Sequence, residues 1–214
     1  MKNLFQYLKS MNEQKKFFRE KAEQNEPLCI MDDKVFKLML ASDSEDSREA
    51  LRCLLSACTR RQVSKVNVIN NEILPVHLDG KSPRIDVNVT FNDGELADLE
   101  MQMKRSEDDL KERSSQYLSM LHAGQVKKGK EYRAAKRVYQ IFFLNFELFH
   151  GSNKVPRRYG FREEAEYDLL TDKTEIIFYE MPKLEQKVKD YFEGKRGIES
   201  LSDDEKWCIY SELI

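Results

Sequence analysis

Asn92-Asp93-Gly94 lies between two stretches of alternating apolar and polar residues, 84–91 and 95–104. A turn segment ending in glycine, flanked by period-two alternation, predicts a β-hairpin, and a hairpin fixes which residues face one another. A three-residue loop built on a type I turn, with Gly94 left-handed, sets Phe91 against Glu95 and Asp86 against Glu100. One face then carries Ile85, Val87, Val89 and Phe91 against Ala97, Leu99, Met101 and Met103. The other carries Arg84, Asp86, Asn88 and Thr90 against Leu96, Asp98, Glu100, Gln102 and Lys104. A two-residue turn would slip the register by one and send Asp86 and Glu100 to opposite faces. The three-residue loop sorts the residues more cleanly, with only Glu95 out of place at the tip.

Two carboxylates facing each other on adjacent strands have Cβ atoms roughly 5 Å apart. Left alone they repel, and one of them takes up a proton. A divalent cation removes the conflict. Magnesium is content with one or two carboxylates and completes its shell with water and phosphate oxygens. An ion held there polarises a phosphoryl oxygen and acidifies a water. Gln102 shares the face with Glu100 and can orient a water or a phosphate, though it cannot act as a base. Lys104, one step further, offers positive charge. The plain alternative is a hairpin with one dry and one wet face, in which polar residues need no function. Against it stand Asp86, Asp98 and Glu100 together on one face, with no basic residue directly opposite the pair.

Composition narrows the function classes. The 214 residues suffice for one domain with a real core, and the net charge of −2 gives no overall positive field to attract nucleic acid. Any DNA-directed role needs local basic patches, for which Lys127-Lys128-Gly129-Lys130, Arg133 with Lys136-Arg137, and Arg157-Arg158 are candidates. Cys29, Cys53, Cys58 and Cys208 have no zinc spacing and suit reduced, buried thiols in a cytoplasmic setting. His77, His122 and His150 are scattered, which argues against zinc and against a catalytic triad. No signal-peptide core opens the sequence, and Ile141-Phe142-Phe143-Leu144 is too short a run to span a bilayer.

Along the chain, residues 3–24 read as a charged helical arm broken at Asn25-Glu26-Pro27, and residues 31–41 as a short helix with Asp32 or Asp33 as a cap at its start. A second helix opens at Ser44 and runs to about Thr59, with Leu51, Leu54, Leu55 and Cys58 on its buried face. Residues 63–69 alternate as a strand that precedes the hairpin. A helix over 107–126 places Leu110, Tyr117 and Leu121 inward and Arg113 on a flank, where it either grips a phosphate or pairs with Asp109. Residues 137–146 form a nearly continuous apolar strand suited to the middle of a sheet. Residues 166–170 and 174–179 read as a second hairpin, followed by helices over 183–193 and 202–213, with Trp207 as a packing anchor and Ser202-x-x-Glu205 as a capping box. This order predicts an α/β fold, a mixed β-sheet flanked by helices.

The residues also resemble a known family. Asp33-x-x-Phe36-Lys37, Arg84-Ile85-Asp86-Val87, Glu100-Met101-Gln102, Glu112-Arg113 with Tyr117, Gly129-x-x-Tyr132, residues 177–183 and Glu205-Lys206-Trp207 follow one another as in the PD-(D/E)XK nuclease superfamily. Within it, they resemble the branch of recombination-promoting nucleases and transposases. The resemblance implies a restriction-endonuclease-like αβββαβ core over 27–149, an N-terminal helical arm over 1–26 and a C-terminal β-hairpin and helical extension over 150–214. It implies a metal-dependent DNA endonuclease with Asp86 and Glu100 holding Mg2+ or Mn2+ and Gln102 at the superfamily's lysine position. Asp33, Asp98, Lys104 and Arg113 are assisting candidates, DNA is the implied partner, and double-strand cutting by a one-site chain calls for a homodimer. The rival expectation is a nuclease-like scaffold that binds nucleic acid or a protein without cutting.

Overall fold

The computed structural model describes residues 20, 23–24, 33–69, 86–105, 109–126, 129 and 131–210. Most of the expected arm over 3–24, the Asp33 side chain, Arg84, Ile85, Cys29, His77 and the lysines at 127, 128 and 130 lie outside the described residues. Glu20 and Glu23 are helical; beyond them come helices α1 (Asp33–Ala41) and α2 (Glu45–Thr59), followed by strands β1 (Val66–Ile69), β2 (Val87–Phe91) and β3 (Glu95–Gln102). Helix α3 (Leu110–Ala123) connects β3 to β4 (Val138–Leu144). Strands β5 (Arg157–Tyr159) and β6 (Thr174–Glu180) and helices α4 (Glu185–Phe192) and α5 (Asp203–Tyr210) complete the chain.

Local chemistry sets the helix ends. Ser44 caps α2 by accepting from the Ser47 amide at 3.1 Å, and Glu45 and Asp46 enrich its first turn in negative charge. Asp109 caps α3 by accepting from the Lys111 amide at 2.9 Å, which takes it away from the predicted pairing with Arg113. Of the predicted capping box on α5, the Glu205 arm is present, its carboxylate accepting from the Ser202 amide at 3.1 Å.

The six strands form one mixed sheet in the order β1-β2-β3-β4-β6-β5. Strands β1, β2 and β3 pair antiparallel with one another, β3, β4 and β6 run parallel, and β5 returns antiparallel to β6. The sheet with its flanking helices is the predicted α/β arrangement, and β4 lies near its middle with all seven residues buried. One face packs against α1, α2 and α5 through Phe36, Leu40, Leu51, Leu55, Val87, Val89, Leu99, Ile141, Phe143 and Tyr179, with Trp207 packed at its margin. The other face packs beneath α3, where Leu110 meets Phe142, Leu144 and Phe178, and Leu118 and Leu121 meet Val138.

The hairpin register is as read, with Phe91 opposite Glu95 and Val87 opposite Leu99. The loop conformation differs. Gly94 has φ 94°, but Asn92 is also left-handed at φ 47°, so the tip is not the type I turn expected. The reason is tertiary. The Asn92 amide donates to the Lys65 carbonyl, and its side chain accepts from the Ser64 amide and donates to the Gln62 carbonyl. Asparagine tolerates the left-handed region, and these bonds hold it there.

Two further expectations are corrected. The polar face of the hairpin is not wet: Asp98 is 0% and Glu100 2% exposed, and Asn88 is buried with them. Residues 166–170 do not pair with β6 either. That stretch is exposed and joined only by an isolated bridge between Arg162 and Leu169, because β6 takes β4 and the short β5 as its neighbours.

Candidate active site

The β2–β3 ladder ends at Val87 and Leu99, and one step beyond it Asp86 comes beside Glu100. The Asp86 carboxylate takes over from the backbone there, its Oδ2 accepting the Met101 amide at 3.2 Å. This bond ties the acid to the residue next to Glu100. Met101 itself points into the main core, so Glu100 and Gln102 turn to the opposite face, as strand alternation requires.

Each acid has a cation supplied by a helix. Lys37, on α1, sets its Nζ 3.0 Å from Asp86 Oδ1. Arg113, on α3, brings Nη2 to 3.5 Å from Glu100 Oε2. Gln102 Nε2 donates to the same Glu100 oxygen at 3.2 Å. The absence of a base opposite the pair was read from the strands alone, and these bases reach it from other elements. Lys37 is the residue whose part in the site the sequence reading missed, although its motif was noted. The signal was its position directly after Phe36, which anchors α1 in the core.

Electrostatics follow from burial. Glu100 is pushed up to about 7, first by desolvation and also by the Asp86 charge, while Arg113, Gln102 and Lys37 hold it back. Asp98 is raised well above the ordinary aspartate range, chiefly by burial and then by the Glu100 charge, against the hydrogen bond that Gln140 Nε2 donates to its Oδ2 at 3.1 Å. Asp98 thus sits behind Glu100 on the face covered by α3. Lys104 is exposed and two residues past the end of β3, and it makes no ion pair among the described residues. Tyr117 is half-buried beneath the Arg113 guanidinium, 6.0 Å from ring centre to Cζ.

Glu100 Oε1 is buried and accepts no hydrogen bond among the described residues. A carboxylate oxygen closed off from water without a donor is costly, on the order of 1–3 kcal/mol. A cation is a fitting partner for such an atom. Two carboxylates suffice for magnesium or manganese when waters and phosphate complete the shell. No group of three or more His, Cys, Asp or Glu side chains forms a metal cage among the described residues. A separate cleft of about 740 Å³ opens at the other end of the sheet, lined by Arg61, Lys65, Asn92, Lys173 and two of the candidate basic-patch residues, Lys136 and Arg137, among others, and contains none of the candidate metal-site residues.

An acidic pair at the end of the β2–β3 hairpin, in a mixed sheet flanked by helices, defines a restriction-endonuclease-like α/β protein. Residues 30–206 match the family described as PD-(D/E)XK nuclease family transposase, and the chain belongs to it. Membership points to nuclease activity on DNA, and PD-(D/E)XK nucleases generally use divalent metal ions. No curated protein and no solved structure matches the chain. No helix among the described residues is long and apolar enough to cross a membrane.

Proposed function

We propose that the protein is a magnesium- or manganese-dependent DNA endonuclease that hydrolyses phosphodiester bonds at Asp86 and Glu100. The observation that carries this reading is the pairing of the two acids at the end of the hairpin, with Glu100 Oε1 buried and without a donor among the described residues. Asp86 and Glu100 would hold the ion, which supplies Lewis acidity to the scissile phosphate and acidifies a water. The chain's own residues do the rest. The Met101 amide fixes Asp86. Arg113 and Gln102 converge on Glu100 Oε2 and hold that carboxylate in one orientation. The cover provided by α3 keeps bulk water from Glu100, which strengthens its attraction to any cation.

The test is plasmid nicking and linearisation by purified protein. Cutting is expected with Mg2+ or Mn2+, to stop with chelator, and to fall at least about 1000-fold in Asp86→Ala and Glu100→Ala, since each removes a group required to hold the ion. Unchanged cutting by both variants defeats the reading. One feature favours the rival, a scaffold that binds without cutting: position 102 carries a neutral glutamine. Thermal shift with Mn2+ separates the two, because the enzyme gains stability that vanishes in Asp86→Asn, while the scaffold shows no metal effect.

A further inference from the structure

We propose that Lys37 supplies the catalytic positive charge that Gln102 lacks, reaching the substrate phosphate from α1 rather than from the strand. The inference rests on the metal-dependent nuclease reading above and deepens it. The family is named for a lysine two residues after the second acid, and here that residue is Gln102, whose amide is given to Glu100. A different element brings a lysine to the same pair.

The placement of Lys37 is built into the fold. Phe36 is 2% exposed and meets the Phe143 ring at 6.0 Å, and Leu40, one turn on, is fully buried. Together they fix the rotation of α1 about its axis. Lys37, one residue after Phe36, is turned about 100° from the buried stripe, onto the rim. There its Nζ meets Asp86 Oδ1 at 3.0 Å.

The two cations differ in the acid each one meets and in which of their nitrogens are buried. The Lys37 and Asp86 side chains are 35% and 18% exposed, whereas Glu100 is 3% and Arg113 21% exposed. Arg113 Nε and Nη2 are closed off from solvent altogether. The acidic pair therefore opens to solvent on the Lys37 side. A phosphate arriving on that side meets Lys37 and Asp86, whereas the Arg113 nitrogens Nε and Nη2 are turned inward toward Glu100, which makes Arg113 a positioning residue for that acid.

The chemistry asks for a fixed charge. Hydrolysis joins a water oxygen to phosphorus and breaks the bond from phosphorus to the leaving sugar oxygen. The water's proton goes to solvent and the leaving oxygen takes one from solvent. Lys37 keeps its own proton throughout and offsets charge on a non-bridging phosphate oxygen as it grows. Losing one such electrostatic contact costs a rate factor of about 100 or more.

The experiment compares wild type with Lys37→Ala, Lys37→Arg and the double variant Lys37→Ala/Gln102→Lys. Single-turnover cleavage of a DNA duplex is measured in Mn2+, and Mn2+ affinity by calorimetry without DNA. Lys37→Ala is expected to cut about 100-fold more slowly yet to bind Mn2+ at least threefold more tightly, because the ammonium no longer competes for Asp86. Lys37→Arg keeps most of the rate, and the double variant regains at least tenfold over Lys37→Ala. The proposal is overturned if Lys37→Ala cuts within threefold of wild type. It is overturned equally if cutting and Mn2+ binding are lost together without rescue, the mark of a merely structural role. Dead Asp86→Ala beside an active Lys37→Ala defeats this inference alone, whereas metal-independent behaviour of the wild type defeats the nuclease reading and this inference with it.

Discussion

Without metal, this protein is expected to become less stable as pH rises, with Glu100 as a principal cause. Its carboxyl is pushed from the ordinary 4.5 up to about 7, mainly because burial penalises the charged form. A folded-state value above the unfolded one means that the native state binds the proton more tightly. The group's contribution is therefore fully present below about pH 4.5 and is lost as pH climbs through about 7. At roughly 1.4 kcal/mol per pH unit, the difference amounts to about 3 kcal/mol, a large share of the stability of an ordinary domain. Asp98 adds to the slope with the same sign, since its carboxyl is raised by the same burial. The assay is urea unfolding in chelator from pH 5 to 8.5, for wild type and Glu100→Gln. Histidines and surface acids contribute equally to both, so the difference between the two curves reports Glu100 together with its effect on Asp98. The variant is expected to lose about 3 kcal/mol less than wild type across that range. Added Mn2+ reverses the trend in wild type, because the ion binds the ionised form and drives a proton off. Identical pH slopes for the two proteins would refute the burial argument.

Three other outcomes follow from the same geometry. Asp98→Asn replaces a fully buried acid whose Oδ2 accepts from Gln140 with a neutral group of the same shape. Urea unfolding is expected to show it more stable than wild type at pH 8 and little changed at pH 5. Arg113→Gln removes the cation nearest Glu100, and carbon NMR of the Glu100 carboxyl is expected to show its titration midpoint rising by about one pH unit or more. Glu180 is fully buried and accepts the Leu148 and Phe149 amides at 2.6 and 2.8 Å and the Lys183 ammonium at 2.7 Å. Glu180→Ala leaves that buried lysine uncompensated and is expected to cost about 3–5 kcal/mol in chemical denaturation, independent of metal.

How far the sequence could be read depends on the range of each interaction. The β2–β3 register was legible because loop length and alternation are local and agree. That β4 lies deep in the sheet was legible too, since only a strand covered on both faces reads as a continuous apolar run. What the hairpin's polar face meets was not legible. It is buried by α3, whose packing through Leu110, Leu118 and Leu121 is decided by tertiary contacts with β4 and β6. The partner of β6 was misread for a related reason. Alternation says that a strand exists but not which strand it joins, and β5 is three residues of Arg-Arg-Tyr with no apolar pattern to announce it. Arg113 was correctly placed on a flank of its helix, yet its partner, Glu100, is thirteen residues away on a strand and beyond the reach of helix spacing rules.

The glutamine at position 102 and the lysine at position 37 make sense as a single arrangement. Two acids at the end of the hairpin face two cations, Lys37 and Arg113, and Gln102 adds a hydrogen bond to Glu100 without adding charge. Among the described residues each acid is matched by one base in these two ion pairs. A further cation on β3 would add positive charge beside Asp86 and Glu100 and weaken a divalent ion's hold on them, since like charges within a few ångströms in a poorly solvated site repel strongly. On this reasoning Gln102→Lys alone, with Lys37 in place, binds Mn2+ more weakly than wild type, whereas the same change made together with Lys37→Ala leaves affinity near the wild-type value. Affinities measured on the two proteins decide the matter. If Gln102→Lys binds Mn2+ as wild type does in both backgrounds, the two positions do not share one charge balance, and the glutamine needs another explanation.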